Sequence, residues 1–146
     1  MDISILDVVA ADDGAYAQCR HIRHDVFCIE QQIPESLEWD EFDATCHHFL
    51  LQIDDNAAAT ARSRPYGANV WKVERVAVLK RFRGQGLGAL LMRHVLQHAK
   101  RHGAAEVVIN AQLAVEKFYT TLGFVTEGPQ FVEADIPHVR MRLRLK

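Results

Sequence analysis

Between Val70 and His102 the chain passes from an alternating apolar stretch through a cluster of cations and three glycines into a long amphipathic segment. Few folds accommodate that succession. Val73, Val76 and Val78 predict a strand over Val70–Leu79. Lys80, Arg81 and Arg83 follow it and are succeeded by Gly84, Gly86 and Gly88. Leu87, Leu90, Leu91, Val95 and Ala99 then fall on one face of a helix to His102, which Gly103 can end in a left-handed cap. A helix start leaves about four N–H groups without partners and carries roughly half a positive charge. A pyrophosphate answers both, and glycines let its oxygens reach the amides. The bland alternative is a glycine-rich turn capping an ordinary helix. No Lys-Ser or Lys-Thr follows the glycines, which argues against a nucleoside triphosphate loop. The spacing Gly84-Gln85-Gly86-Leu87-Gly88 is also wrong for the dinucleotide fingerprint.

The remaining pattern surrounds this unit with further strands and helices. Ile3–Val9 reads as a first strand, and Ala15–Ile29 as a helix with Ile22, Val26 and Ile29 on its apolar face. Glu35–Thr45 is an acidic loop or short helix. His48–Ile53 and Ala57–Arg64 suggest a hairpin turning at Asp54-Asp55-Asn56. Glu106–Asn110 is a short strand and Ala114–Leu122 a helix that Gly123 stops. Phe124–Thr126 and Pro137–Leu145 complete the sheet. The order β-α-β-β-β-α-β-α-β-β predicts one mixed α/β domain over residues 1–146, without repeats or linkers.

Composition narrows the partners. A formal net charge of −2 offers no general attraction for nucleic acid. The longest apolar runs are too short to span a bilayer, and Met1-Asp2-Ile3-Ser4 has no secretory character, so a cytoplasmic location without membrane contact is expected. Cys19, Cys28 and Cys46 form no disulfide framework. Charge is uneven along the chain. Glu30 to Asp43 holds six acids and no base, which suggests a surface facing a cation or an amine.

Arg83-x-x-Gly86-x-Gly88 resembles the signature of the GNAT acetyltransferases, and Phe118-Tyr119-x-x-Leu122-Gly123-Phe124 resembles that family's second signature, about 30 residues on. Val26-Phe27-x-x-Glu30-Gln31, His48-Phe49 and Ile136-Pro137-His138-Val139-x-Met141 extend the similarity over nearly the whole chain, toward the YjcF/ElaA-like branch. The resemblance implies a mixed, mostly antiparallel splayed sheet of six to seven strands flanked by about four helices. It implies acetyl-CoA as co-substrate, a small-molecule primary amine as acceptor, direct attack in a ternary complex, and allows for a homodimer. Alternatives are a protein or peptide acetyltransferase acting on lysine or an N-terminus, and a non-catalytic acyl-CoA sensor.

By the same resemblance the cofactor would be held by Val76, Ala77 and Val78 on the strand, by Arg81, Arg83, Gly84, Gln85, Gly86, Leu87 and Gly88 in the loop, and by Gln112 and Tyr119. Gln112 stands where many members have Asn. Tyr119 would protonate the leaving thiolate, and its alternative is a packed core tyrosine. A backbone N–H near Val76–Val78 would serve the oxyanion. Glu74 is a candidate base, or else a strand carboxylate paired with Arg75 or Lys72. Glu30, Gln31 and His138 are candidates for the acceptor side, and Glu30 and His138 are rival bases. Asp135 replaces the glycine common in this branch. Trp39 and Phe42 either line an acceptor pocket or anchor a surface loop. Cys19-x-His21-x-x-His24-x-x-x-Cys28 and Cys46-His47-His48 fit no common metal spacing, so no metal is expected. His94, His98 and His102 are expected on the solvated side of the long helix.

Overall fold

A computed structural model describes residues 1–146. Seven strands form one sheet: β1 (Ile3–Val8), β2 (His47–Ile53), β3 (Asn56–Gly67), β4 (Val70–Val78), β5 (Glu106–Gln112), β6 (Val125–Glu133) and β7 (Ile136–Arg144). Their spatial order is β1-β2-β3-β4-β5-β7-β6. Every neighbouring pair is antiparallel except β4 and β5. That parallel pair needs a crossover, which α3 (Leu87–Arg101) supplies. Three further helices are α1 (Asp13–Arg23), α2 (Glu35–Glu38) and α4 (Glu116–Thr121).

The sheet is covered on both faces. On one, Leu87, Leu91, Met92, Val95 and Ala99 of α3 pack with Phe49, Leu51, Val73, Val107 and Ile109. Burying each large side chain contributes about 1.5–3 kcal/mol. On the other, Cys19, Ile22 and Val26 pack with Leu50 and Ala77. The apolar stripes of both long helices are therefore the seams that build the core.

Local chemistry explains the punctuation. Asp54 and Asp55 both take left-handed backbone angles, which gives the β2–β3 hairpin a two-residue turn matching the strand twist. The last turn of the first helix differs from expectation. His24–Glu30 winds as a π-helix, and the wider turn rotates Ile29 out of the stripe, so that it is exposed while Ile22 and Val26 are buried. The strand at Phe124–Thr126 also runs further than its sequence suggests. β6 continues to Glu133 because the pairing shifts between Glu127 and Phe131, placing Gly128 and Pro129 in a bulge on an edge strand, where a missing N–H costs little.

Candidate active site

The glycine loop begins where β4 ends. Gly84 and Gly86 both have φ near +80° (79 and 77), a region that side chains disfavour. Gly88 serves packing instead: a Cβ there would meet the Phe118 ring at 3.3 Å. This left-handed path turns the N–H groups of residues 84–89 away from any backbone acceptor in the protein. The loop thus presents a row of free donors at the start of a 15-residue helix. Lys80 and Arg81 add cations beside it, neither of them in an ion pair. That donor set suits the pyrophosphate of a coenzyme A. Arg83 is already engaged: its Nε donates to the Val78 carbonyl, and its two terminal nitrogens meet the Glu30 carboxylate at 2.9 and 2.7 Å.

Next to the loop the sheet opens. β4 and β5 pair only from Val70–Val73 against Glu106–Ile109. Beyond that point Glu74–Val78 and Asn110–Gln112 have no partner on the edges that face each other. The cause lies within β4. Arg75 has φ +57°, and the register with β3 shifts between Thr60 and Arg62. This bulge inverts the alternation of side chains: Trp71 and Val73 face the α3 core, and after the bulge Val76 and Val78 do so, while Ala77 joins the α1 side. A cavity of about 760 Å³ fills the opening. Its lining runs from Val78, Arg83 and Gly88 at the loop, past Gln112 and Tyr119, to Phe42, Arg64, Lys72 and His138. A chain of pantetheine length can lie along it with the exposed β4 edge beside it.

The expected site residues fall into three groups around this cavity. Tyr119 on α4 is buried, flanked edge-on by Phe118 and Phe124, and still borders the cavity. Burial raises its phenol above the ordinary value, so the proton is retained and available to donate. Gln112 at the end of β5 donates to Gln31 at 2.8 Å, which ties the π-helix to β5 across the cavity mouth. Gln31 and Glu30 therefore sit at the loop end of the cavity, bonded to Gln112 and Arg83. His138 on β7 lines the other side. Its Nδ1 lies 2.7 Å from the Ile136 carbonyl and its Nε2 3.9 Å from the Glu133 carboxylate.

Glu74 has a crowded environment. Its carboxylate accepts from Arg64 at 2.9 Å and Arg62 at 3.0 Å, with the Lys72 ammonium at 2.9 Å. Burial would raise its pKa, but hydrogen bonds and charge from Arg64, Arg62 and Lys72 prevail and hold it at about 2. The expected pairing with Lys72 is present, whereas Arg75 turns to Glu38 and Asp40.

Half of the acidic segment, Glu38, Asp40 and Asp43, turns inward rather than toward outside cations, while Glu35 and Glu41 are exposed. Glu38 and Asp43 hold the buried Arg23 at 2.8 and 2.6 Å, and Asp40 and Asp43 hold the buried Arg62 at 2.7 and 2.8 Å. These three carboxylates neutralise arginines inside the protein, as buried guanidinium groups require. Trp39 lies beneath Arg20 and Arg23, and only Phe42 of the two aromatics reaches the cavity, stacked 3.8 Å from the Arg64 guanidinium. The histidine row also needs correction. His98 is buried and stacks on His102 at 4.1 Å, close to His47, Phe49 and Trp71. No group of three or more His, Cys, Asp or Glu side chains is placed to hold a metal ion, and no helix is long and apolar enough to cross a membrane. Arg64 and Lys72 were missed as cavity residues. Their only signal in the sequence was the alternation of Arg62 and Arg64 on β3 and the single base Lys72 early in β4.

Similarity to known proteins agrees with this geometry. Residues 11–145 match the family model described as an acetyltransferase (GNAT) domain. The chain is 30% identical over 142 residues to the uncharacterised N-acetyltransferase YjcF of Bacillus subtilis, covering 92% of this chain and 96% of the relative. It superposes on Escherichia coli ElaA with a TM-score of 0.87 at 26% identity, covering 97% of this chain and 99% of the other. An acyl-CoA N-acyltransferase from Pseudomonas aeruginosa gives 0.84 at 31% identity, with the same coverage of 97% and 99%. Proteins of this family use acyl-CoA. The chain belongs to the GNAT acetyltransferase family, in the neighbourhood of YjcF and ElaA, and is an acyltransferase.

Proposed function

We propose that the chain transfers the acetyl group of acetyl-CoA to a primary amine of a small molecule, by direct attack within a ternary complex. The observation that carries this reading is the parting of β4 from β5 beyond Val73 and Ile109, with free amides at one mouth and Tyr119 within. The loop amides of Gly84–Gly88, with Arg81, hold the pyrophosphate. Arg83 braces the loop through Val78 and Glu30. The exposed edge of Val76, Ala77 and Val78, with Gln112, aligns the pantetheine arm. Acetyl-CoA brings the activated thioester, and a β4 amide beside the bulge stabilises charge developing on its carbonyl oxygen. Tyr119 gives its proton to the departing sulfur.

Proton removal from the amine falls to His138 or to solvent in this reading. A carboxyl held at about 2 is a poor base near neutrality, so Glu74 is assigned to positioning Arg64 and Lys72. Gln31 orders the mouth through Gln112. One GNAT domain spans residues 1–146, and it works in the cytoplasm on a diffusible acceptor. The test is CoA release from acetyl-CoA over an amine series, with the acetylated product weighed by mass spectrometry. Tyr119→Phe should lower kcat by about 10²-fold or more with CoA affinity unchanged within about threefold. Normal turnover in that variant, with chemistry limiting the rate, removes Tyr119 from the acid role. No release with any amine refutes the proposal.

A further inference from the structure

The cavity wall away from the glycine loop presents two cations side by side. Arg64 on β3 and Lys72 on β4 are directly opposed in the register, and both line the cavity. Like charges facing each other are unfavourable unless a counter-charge is shared, and the single carboxylate between them is Glu74. Glu74 is shared a third time with the buried Arg62. The cavity lining as a whole is close to charge-balanced, with Arg64, Lys72, Arg75 and Arg83 against Glu30, Glu38, Asp40, Glu74 and Glu133. Arg140 on β7, two strands from β4, is held by Asn110 at 2.7 Å and reaches the Tyr66 hydroxyl at 3.2 Å.

Donors on this wall remain unused. Arg64 spends Nε on Glu74, and neither terminal nitrogen has an acceptor in the protein. Its guanidinium carbon lies over the Phe42 ring at 3.8 Å and the Tyr66 ring at 5.4 Å, contacts that hold the group in place before any ligand arrives. Lys72 meets Glu74 at 2.9 Å and lies over the Tyr66 ring at 5.3 Å. The two side chains are 16% and 12% exposed, so water and salt screen them weakly. A fixed guanidinium fork beside an ammonium suits a planar or tetrahedral anion.

Resting on the acetyl-transfer reading, we infer that the acceptor amine carries an anionic oxygen group, a carboxylate or phosphate, which Arg64 and Lys72 hold while the amine points toward Tyr119. Lys72 lies four residues before Val76, roughly 10–13 Å along the strand. The reach of a lysine or arginine side chain leaves a gap that a few methylene groups close. A polyamine would instead bring cations against Arg64 and Lys72, and of the cavity carboxylates only Glu133 lacks a paired arginine or lysine.

The test is calorimetric titration of ω-amino carboxylates and ω-aminoalkyl phosphates into protein saturated with free CoA. Alkylamines and diamines of matched length serve as controls, and CoA release from acetyl-CoA is followed separately. At least one anionic amine should bind at least tenfold more tightly than its matched alkylamine. Arg64→Gln and Lys72→Met should each erase most of that preference, while still melting cooperatively and shifting with CoA as wild type does. The relative affinity of carboxylate and phosphate identifies the anion. Equal or tighter binding of alkylamines or diamines, no binding of any anionic amine to CoA-loaded protein, or an unchanged preference in both variants overturns the inference. Selective binding without acetylation upholds the anion site and refutes the transfer reading.

Discussion

Replacing Glu74 by Gln separates structural from chemical roles at the centre of the site. In the native protein burial opposes ionisation of this carboxyl, yet Arg64, Arg62 and Lys72 hold its pKa at about 2, against 4.5 in an ordinary glutamate. Each pH unit of such a difference is worth about 1.4 kcal/mol, so the ionised side chain contributes about 3 kcal/mol at neutral pH. Breaking a buried ion pair from one side costs a similar amount, about 3–5 kcal/mol. Glu74→Gln should therefore destabilise the protein by about 3 kcal/mol at pH 7, on the order of 10 °C in Tm. Urea denaturation followed at several pH values measures it. The folded pKa is the lower one, so the native advantage is complete above 4.5 and fades as pH falls toward 2. The gap between wild type and variant should close over that interval. Activity should change little in comparison: kcat within about tenfold and an unshifted pH profile, where loss of a general base costs about 10²–10⁴. A stability loss below 1 kcal/mol would refute the electrostatic reasoning, and a 10³-fold fall in kcat would make Glu74 the base.

Two further outcomes follow from the fold. Burial first, then His102 and His47, lower the pKa of His98 to about 4, so the unfolded chain binds the extra proton between about 6.5 and 4. Tm should fall as pH drops through that window, and His98→Leu should flatten the dependence; a wild-type Tm constant over the window would contradict it. Ala134 and Asp135 both adopt left-handed angles in the β6–β7 turn, where Asn-Gly is preferred. Changing them to Asn and Gly should stabilise the protein by about 1 kcal/mol, and a lower Tm would show that Asp135 makes a compensating contact.

Much of the fold could be read because its cues are local. The period of Leu87–Ala99, the alternation of Val73, Val76 and Val78, and the glycines at 84 and 86 each report on a few neighbouring residues. The same holds for the turn at Asp54-Asp55. What escaped the reading depends on pairs distant along the chain. The acids at Glu38, Asp40 and Asp43 looked like an exposed field because Arg23 and Arg62 reach them only after folding. His98 looked solvated because His47 and Trp71 arrive from other strands. The bulge at Arg75 leaves no compositional mark, although it reverses the face of every β4 residue that follows. Val76 and Ala77 therefore exchange the sides that simple alternation would give them.

The most direct measurement is a thermal melt with acetyl-CoA, free CoA and ATP, comparing wild type with Gly86→Glu. That substitution places a charged side chain at a left-handed position in the loop. Ligand at about a hundred times its Kd adds about 2.7 kcal/mol, or roughly 5–10 °C for a domain of this size. We expect that shift with both CoA ligands, none with ATP, and none in a folded Gly86→Glu variant. No shift at saturating acetyl-CoA, in folded wild-type protein free of copurified CoA, would contradict the assignment of the β4–β5 cleft to acyl-CoA.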